Sequence, residues 1–348
     1  MKHKKKLPFV SICTPTFNRR PFFPSAIKCV LHQDYPKNKI EWVIVDDGTD
    51  KIEDLVKDLD FVKYVKLDQK LTLGKKRNLM HEHCKGDIIV YMDDDDYYPP
   101  TRISHAVKKL TSQKECLIAG SSQMYIYFKH NGEMWKLGPY AKYHATAGTF
   151  AFKKELLEIT KYTEEQALSE EKDFLKNYTI PLLQLDPKHV ILVFSHNHNT
   201  FDKRKLLKSA PNKFVQKSDK KVDEFIKDKS IKKWFLEDID KELENYDLGL
   251  PKHKPDVMIQ LKEKEKLLEN MNMSNLTALR NGKQVRLTNK EVLGHIKALK
   301  SRLESYEKLF NSYREKLKTE INKNKELQKF YDEYKDYFKN GKILGPEK

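Results

Sequence analysis

Cysteine is scarce in this chain of 348 residues, which contains only four. All four lie in the first third of the sequence, and they show none of the short paired spacings that are typical of zinc clusters or disulfide scaffolds. The scarcity excludes both of those classes and fits a reducing compartment. The residues are Cys13, Cys29, Cys84 and Cys116.

Long hydrophobic runs are also missing. No segment approaches the roughly 18 apolar residues that a membrane span requires. The basic start, Met1–Lys6, is not followed by an apolar region long enough for a signal peptide. We therefore expect no transmembrane segment, and a soluble protein in the cytoplasm.

Arginine is scarce among the 67 basic residues, which exceed the 51 acidic residues and give a formal net charge of +16. The excess is almost wholly lysine, a strongly hydrated point charge, whereas sequence readout in nucleic acids favours the arginine fork. Most of the charge is therefore interpreted as solvated surface. We expect no specific nucleic-acid partner.

What the sequence does contain is an alternating pattern of strands and helices in its first half. The short apolar runs at residues 9–14, 42–46, 62–67 and 87–92 are separated by helical patterns. Buried-type strands separated by helices of this length predict an α/β fold, with a mostly parallel sheet and helices on both faces.

The composition changes near residue 205, where helix-forming Lys and Glu begin to dominate. We predict a catalytic-type domain over 1–204, a helical linker region over 205–255 and a helical, possibly coiled-coil, region over 256–348. Asn281-Gly282 between alternating apolar residues predicts a short hairpin near 277–288.

The last helix carries apolar or aromatic residues in a heptad register. This pattern predicts a coiled-coil stalk and a homodimer or higher oligomer, with Asn324 at a core position favouring two strands. The alternative is an amphipathic helix that packs on its own domain or forms a hairpin against residues 257–271. The first seam is Ile296, Leu303, Phe310, Leu317, Asn324, Tyr331 and Phe338; the second is Leu299, Tyr306, Tyr313, Glu320, Leu327 and Tyr334.

The strongest local signal for function is a run of four carboxylates, Asp93–Asp96, directly after the apolar run that ends at Met92. Adjacent carboxylates repel one another, and folding does not require them. Hard divalent cations bind such oxygen ligands, and the carboxyl end of a strand borders the ligand crevice of an open sheet. A solvated acidic turn is the alternative.

Two more strands end in polar residues. Val45 is followed by Asp46, Asp47 and Gly48, where an aspartate can accept hydrogen bonds from a ribose or base, or can simply cap the next helix. Thr14–Arg19 follows the first strand. These ends meet at one rim of a parallel sheet.

The segment Gly74–Asn78 opens a helix with cationic side chains beside an N-terminus that favours anions. A divalent metal, cations for phosphate and an aspartate for a base together describe a site for a metal-bound nucleoside diphosphate.

These four motifs, in this order, resemble the signatures of glycosyltransferase family 2, inverting enzymes with the GT-A fold. The resemblance covers residues 7–204. It implies that Thr14, Pro15, Thr16 and Arg19 border the nucleotide, and that Asp46, with Asp47 beside it, hydrogen-bonds the base. It also places Lys75 and Arg77 at the nucleotide or its phosphates.

The resemblance further implies a DXD motif that binds Mn²⁺ or Mg²⁺. Asp93-Asp94-Asp95 fits best, with Asp95 as a metal ligand, Asp93 near the metal, ribose and donor sugar, and Asp94 at the nucleotide; Asp94-Asp95-Asp96 also fits. The family's metal-binding histidine corresponds to His196, with His198 second.

The catalytic base of the family corresponds to Glu171, where an aspartate is usual, so that Glu170 and Asp173 compete for the role. Taken alone, this stretch could be just a charged helix start, within a helix predicted over 169–176.

The implied function is transfer of a sugar from a nucleotide-sugar donor, a UDP-sugar, to a hydroxyl of a glycan, glycolipid or protein acceptor. A non-catalytic sugar-nucleotide-binding scaffold on an oligomerising tail is the alternative from another class. A sugar-nucleotide pyrophosphorylase is a weaker one, because Thr14–Arg19 contains no glycine.

Overall fold

The computed structural model describes residues 7–273, 277–280, 283–287 and 289–339. The chain divides into two compact units between Lys266 and Leu267. The first unit is built around two sheets, and the second contains a hairpin and a long helix.

A seven-stranded sheet in the order β3-β2-β1-β4-β8-β5-β9 forms the centre of the first unit. The four strands from β3 to β4 are parallel, whereas β8 runs antiparallel to both of its neighbours. The strands are β1 (Val10–Thr16), β2 (Ile40–Asp46), β3 (Val62–Lys66), β4 (Ile88–Tyr91), β5 (Ile118–Gly120), β8 (Ala151–Lys153) and β9 (Leu182–Gln184).

Both faces of this sheet are covered, because its strands are apolar at successive positions. Ile12 and Val90 pack on one face with residues of helices α1 (Phe23–Leu31) and α4 (Arg102–Ser112). Cys13 and Ile89 pack on the other face with Met80 of α3 (Leu73–His83). The predicted α/β class, with a mostly parallel sheet and helices on both faces, is confirmed.

A second sheet has the order β10-β6-β7-β11. Its strands are β6 (Met124–Phe128), β7 (Glu133–Leu137), β10 (Leu192–Ser195) and β11 (Val215–Lys217). The last strand pairs with β7, so the region predicted as a helical linker contributes a strand to the first unit. The remaining helices of this unit are α2 (Glu53–Val56), α5 (Glu171–Phe174), α6 (Val222–Phe225), α7 (Lys229–Lys233) and α8 (Ile239–Glu244), followed by α9 (Pro255–Met273).

Helix α5 is shorter than the predicted helix over 169–176. Ser169 precedes it with φ of 57°, and three consecutive residues from Lys176 follow it with φ between 49° and 61°. This left-handed backbone cannot continue a right-handed helix. Only Glu171–Phe174 is therefore helical.

The second unit contains an antiparallel pair, β12 (Thr277–Arg280) and β13 (Lys283–Arg286), in which Thr277 lies opposite Arg286. The predicted turn residues, Asn281 and Gly282, lie outside the described residues. Helix α10 (Asn289–Lys339) is 51 residues long. Its apolar seam residues between Ile296 and Tyr331 are 43–68% exposed. In the part of the chain that the structure describes, every helix is too short or too polar to cross a bilayer.

Candidate active site

A cleft opens at the carboxyl ends of β1 and β4, and most of the residues predicted from the first-strand and aspartate motifs line it. These are Pro15, Thr16, Arg19, Arg77, Asp93, Asp94 and Asp95. The cleft is also lined by residues that the sequence did not single out, namely Phe17, Lys70, Leu71, Leu73, Lys76, Ala167, Thr200, Lys254, Asp256 and Val257.

The exit of β1 turns sharply at Asn18, which has a left-handed backbone with φ of 52°. Its side-chain oxygen accepts hydrogen bonds from the amides of Thr49 and Asp50 at 2.7 and 2.9 Å. The next residue, Arg19, is buried, with its guanidinium nitrogens 3.9 Å from Asp94 and 3.7 Å from Asp95. The turn therefore brings a cation against the carboxylate run.

Thr14, which was predicted to border the nucleotide, connects strands through its hydroxyl, and its role at a nucleotide stays a prediction. Its hydroxyl donates to the carbonyl of Met92 at 2.6 Å and accepts from the indole nitrogen of Trp42 at 2.8 Å. Both groups are buried, so this hydroxyl fixes β1 between its two neighbours.

The two aspartates at the end of β2 form hydrogen bonds and an ion pair with other residues of the protein. Asp46 accepts from the amides of Gly48 and Ile52 and from the hydroxyl of Tyr64 at 2.7–3.1 Å. Asp47 accepts from the amide of Leu71 at 2.7 Å and forms a buried ion pair with Lys76. The prediction that Asp46 hydrogen-bonds a base stays a prediction.

The cation that α3 places in the cleft beside Arg77 is Lys76, and the predicted Lys75 is exposed. The Lys76 ammonium also donates to the carbonyl of Thr16 at 2.9 Å. Successive helical residues point about 100° apart, and the face of α3 turned to the cleft carries Lys76 and Arg77, whereas Lys75 points to solvent. The motif contained both lysines, but the choice between them depends on how α3 lies on the sheet.

Arg77 connects the cleft with the predicted base segment. Its Nε lies 3.0 Å from Oε1 of Glu170, and a terminal nitrogen lies 3.9 Å from Oδ1 of Asp93. The guanidinium stacks over the ring of Tyr91 at 4.5 Å. Burial opposes the charge, but Glu170 together with Tyr162, Asp93 and Tyr91 outweighs it and holds the pKa of Arg77 well above its usual value. The cation is permanent.

The aspartate run splits into three cleft residues and one structural residue. Asp96 is buried, and its Oδ1 accepts from the amide of Phe194 at 3.0 Å, which ties the run to β10. Asp93, Asp94 and Asp95 thus line the cleft. The choice between the two overlapping DXD registers stays a prediction.

The three cleft carboxylates differ in charge. Burial raises the pKa of Asp94 to about 7 and also raises that of Asp93. At Asp95 burial acts in the same direction, but the positive charges around it, Arg19 first and then Lys203, outweigh burial and hold the pKa below its usual range. Asp95 is therefore the carboxylate of the three that stays ionised.

Of the two histidines after β10, only His196 lies beside this carboxylate. Its Nε2 is 3.6 Å from Oδ2 of Asp95 and 3.0 Å from the side-chain nitrogen of Asn199. Burial lowers its pKa well below the usual value, so the imidazole is neutral. His198 lies 2.7 Å from the carbonyl of Tyr246 through its own Nε2.

A divalent cation fits this donor set only if part of its coordination comes from elsewhere. Among the residues that the structure describes, no three His, Cys, Asp or Glu side chains are arranged as a metal site. Asp95 and the neutral His196 offer one oxygen and one nitrogen side by side, and Oδ1 of Asp93 is buried without a hydrogen-bond partner. Magnesium-type ions commonly complete such partial sites with water and substrate phosphate oxygens.

The three candidates for the base have different surroundings. Glu170 is buried against Arg77, and Asp173 accepts from Thr163 and Gln166 at 3.1 and 2.6 Å. Glu171 is half-buried, and burial together with the charge of Glu170 raises its pKa to about 7. A carboxylate with that pKa can accept a proton near neutral pH.

Residues 11–166 match the family model described as glycosyl transferase family 2. These residues form a glycosyltransferase family 2 domain. The match includes the exits of β1, β2 and β4 and the start of α3, whereas Glu171 and His196 lie beyond it.

Named relatives of the family 2 domain are glycosyltransferases. The chain is 27% identical over 177 residues to the GalNAc(5)-diNAcBac-PP-undecaprenol beta-1,3-glucosyltransferase of Campylobacter jejuni, which is 46% of this chain and 56% of that protein. It is 30% identical over 92 residues to the poly(ribitol-phosphate) beta-N-acetylglucosaminyltransferase TarS of Staphylococcus aureus, 25% of this chain and 16% of TarS. The match thus spans little more than half of the first relative and far less of the second.

Two solved structures are similar in outline. The mannosyltransferase PcManGT from Pyrobaculum calidifontis, in complex with GDP-Man and Mn²⁺, aligns with a TM-score of 0.46 at 19% identity over 56% of this chain and 59% of that one. Residues 1–349 of Staphylococcus aureus TarS, in complex with UDP-GlcNAc, align with a TM-score of 0.41 at 20% identity over 54% and 59% of the two chains.

Half of the cleft residues that the sequence did not reveal lie beyond the family 2 domain. Thr200, Lys254, Asp256 and Val257 line the cleft although they follow residue 166. The sequence around Lys254 signalled only a break between helices, because two prolines flank it. Nothing in its local pattern indicated that it returns to the cleft.

Proposed function

We propose that this chain is a metal-dependent inverting glycosyltransferase that moves a sugar from a UDP-sugar to an acceptor hydroxyl. The observation that carries the proposal is the cleft in which Arg19, Lys76 and Arg77 face Asp93–Asp95 inside a family 2 domain. Cations for a diphosphate and oxygen ligands for a divalent metal lie at one strand rim, where α/β sheets bind ligands. A nucleotide-sugar carries both the diphosphate and the group to be transferred.

Asp95 and His196 are the residues that would hold the metal, with Asp93 beside them. A bound Mn²⁺ or Mg²⁺ would neutralise charge on the leaving diphosphate. The protein's own contribution is the pair Arg19 and Arg77, whose fixed cations favour charge that develops on the phosphates.

Glu171 is the proposed base. It takes the proton of the acceptor hydroxyl as the oxygen attacks the anomeric carbon, and the bond from that carbon to the diphosphate oxygen breaks in the same displacement. The configuration of the anomeric carbon is inverted, and no covalent intermediate with the protein forms. The pKa of Glu171, raised to about 7 by burial and by Glu170, matches this role near neutral pH.

A panel of UDP- and GDP-sugars tests this function when each is incubated with purified protein and Mn²⁺ and the released nucleoside diphosphate is measured. We expect one UDP-sugar to be hydrolysed fastest and Asp95→Asn to abolish the release. Asp58→Asn, a change at an exposed aspartate outside the cleft, is the matched control. Binding of UDP without turnover of any donor would favour the non-catalytic scaffold instead.

We also propose that α10 pairs with a second copy of the chain as a coiled coil. The support is a heptad seam whose apolar side chains are 43–68% exposed between Ile296 and Tyr331. So many exposed apolar side chains on one helix are typical of an interface. A molar mass of one chain by light scattering at all concentrations would contradict the pairing.

A further inference from the structure

The segment from Tyr246 to Gln260 is fixed to the first-strand side of the cleft. The hydroxyl of Tyr246 donates to Oδ2 of Asp50 at 2.8 Å, and the side-chain amide of Asn18 donates to the carbonyl of Leu248 at 3.2 Å. Asn18 is the residue that turns the chain after β1. The segment is therefore attached to the same turn that positions Arg19.

The other end of the segment is fixed to the loop that precedes the proposed base. The side chain of Gln260 accepts from the amide of Ala167 at 3.0 Å and donates to the carbonyl of Glu165 at 2.8 Å. Between the two ends, Asp256 pairs with Lys70 at 2.5 Å. With both ends bonded, the segment forms a wall of the cleft.

Lys254, in the middle of this wall, is a buried cation with a neutral partner. Its side chain lines the cleft, and its ammonium donates to the hydroxyl of Thr200 at 2.8 Å. Among the described residues, no carboxylate oxygen lies within 4 Å of this nitrogen. Lysine is almost never buried unless it is paired, because removing an unpaired charge from water is costly.

The surroundings of Lys254 add to the excess of positive charge. Burial, and then the charge of Arg19, lowers the pKa of Lys254 well below its usual value, and Lys76 acts in the same direction. The cleft thus holds a buried amino group without a carboxylate partner among the described residues, and an anionic ligand would favour its charged form.

We infer that Lys254 binds the diphosphate of the donor, and that the segment Tyr246–Gln260 forms part of the donor site. The inference rests on the proposed function, since the diphosphate is the anion that the donor brings. It extends the donor site beyond the family 2 domain, to a cation that lies well after residue 166. The ammonium neutralises the phosphates both when the donor binds and when the diphosphate leaves.

Calorimetric titration of the full-length chain with UDP and with uridine tests this role, with GDP and guanosine as a parallel pair. We expect Lys254→Met to weaken binding of the diphosphate about tenfold or more, the typical effect of losing a charge-assisted hydrogen bond, and to leave nucleoside binding unchanged. Lys254→Arg retains the cation and should bind the diphosphate within a few-fold of wild type. Lys252→Met, at an exposed lysine of the same turn, is the matched control.

Thermal unfolding without nucleotide separates ligand binding from a structural role. Because the apo protein gains nothing from an unpaired buried charge, Lys254→Met should unfold at or above the wild-type temperature. If wild type and Lys254→Met bind the diphosphate equally, the inference about Lys254 is wrong. It is also wrong if the change weakens binding of the diphosphate and of the nucleoside equally. Neither result would contradict the proposed function. A wild-type chain that binds neither UDP nor GDP would overturn the proposed function as well.

Discussion

Arg77 is the residue at which the cleft and the proposed base segment meet. It lies 3.0 Å from Glu170 and 3.9 Å from Asp93, and it stacks on Tyr91. Glu170 is adjacent in sequence to Glu171, so the same guanidinium that lines the cleft also orders the proposed base segment. We therefore regard Glu170 as a positioning residue and Glu171 as the base.

Replacement of Glu171 by Gln should reduce transfer to the acceptor by at least ~100-fold, the usual contribution of a general base. The amide cannot accept the proton, but it fills the same space. Because burial raises the pKa of Glu171 to about 7, the wild-type rate should rise with pH through that value as the carboxylate ionises. In the variant this rise should disappear. Initial rates across the pH range give both results.

Glu165→Gln provides the control for Glu171→Gln, since Glu165 is an exposed residue of the same loop. Its rate should match that of wild type. If Asp173→Asn instead removes the rise with pH, the base is Asp173 and our assignment is wrong.

Lys76→Met should destabilise the protein by about 3 kcal/mol, because it leaves the buried carboxylate of Asp47 without its cation. Lys75→Met makes the same chemical change at the neighbouring exposed position and should leave the free energy of unfolding nearly unchanged. Urea denaturation of both variants measures the difference. Equal destabilisation would show that Lys76 is not the paired lysine.

Among the elements, α3 depends on a close backbone contact at its first turn. The amide of Gly74 donates to the carbonyl of Gln166 at 2.9 Å, and a Cβ on Gly74 would lie 2.1 Å from the carbonyl oxygen of Thr163. This contact holds the start of α3, which carries Lys76 and Arg77, against the loop that leads to the base.

Gly74→Ala should therefore destabilise the first unit, by about 1–3 kcal/mol, because backbone atoms must separate to admit the methyl group. Gly294→Ala is the informative comparison, since a Cβ there meets nothing within 4 Å and the residue lies within α10. That change should stabilise the helix by about 1 kcal/mol. Thermal unfolding followed by circular dichroism checks both signs. A destabilised Gly294→Ala variant would show that α10 is not a regular helix at this position.

At the scale of the whole molecule, the exposed seam of α10 predicts self-association. A double change, Leu303→Lys with Phe310→Lys, places two charges on seam positions that are 58% and 68% exposed. We expect the molar mass measured by light scattering to fall from that of a dimer or higher oligomer to that of one chain. Ser305→Lys adds a charge off the seam, on the same helix, and should leave the molar mass unchanged.

The sequence by itself determined the α/β class and the chemistry of the strand ends, because hydrophobic periodicity and residue type are local properties. It pointed to Arg19, Arg77 and the run Asp93–Asp96 for this reason. It could not separate Asp95 from Asp96, since the two are adjacent and differ only in what packs against them.

Only the tertiary structure decided which neighbours face the cleft. The packing of α3 on the sheet selects Lys76 over Lys75, and the hydrogen bonds of the loop after β2 occupy Asp46. The structure also returns Lys254 to a cleft built by the start of the chain. Contacts between residues so far apart in sequence arise from the packing of whole elements, and no local spacing encodes them.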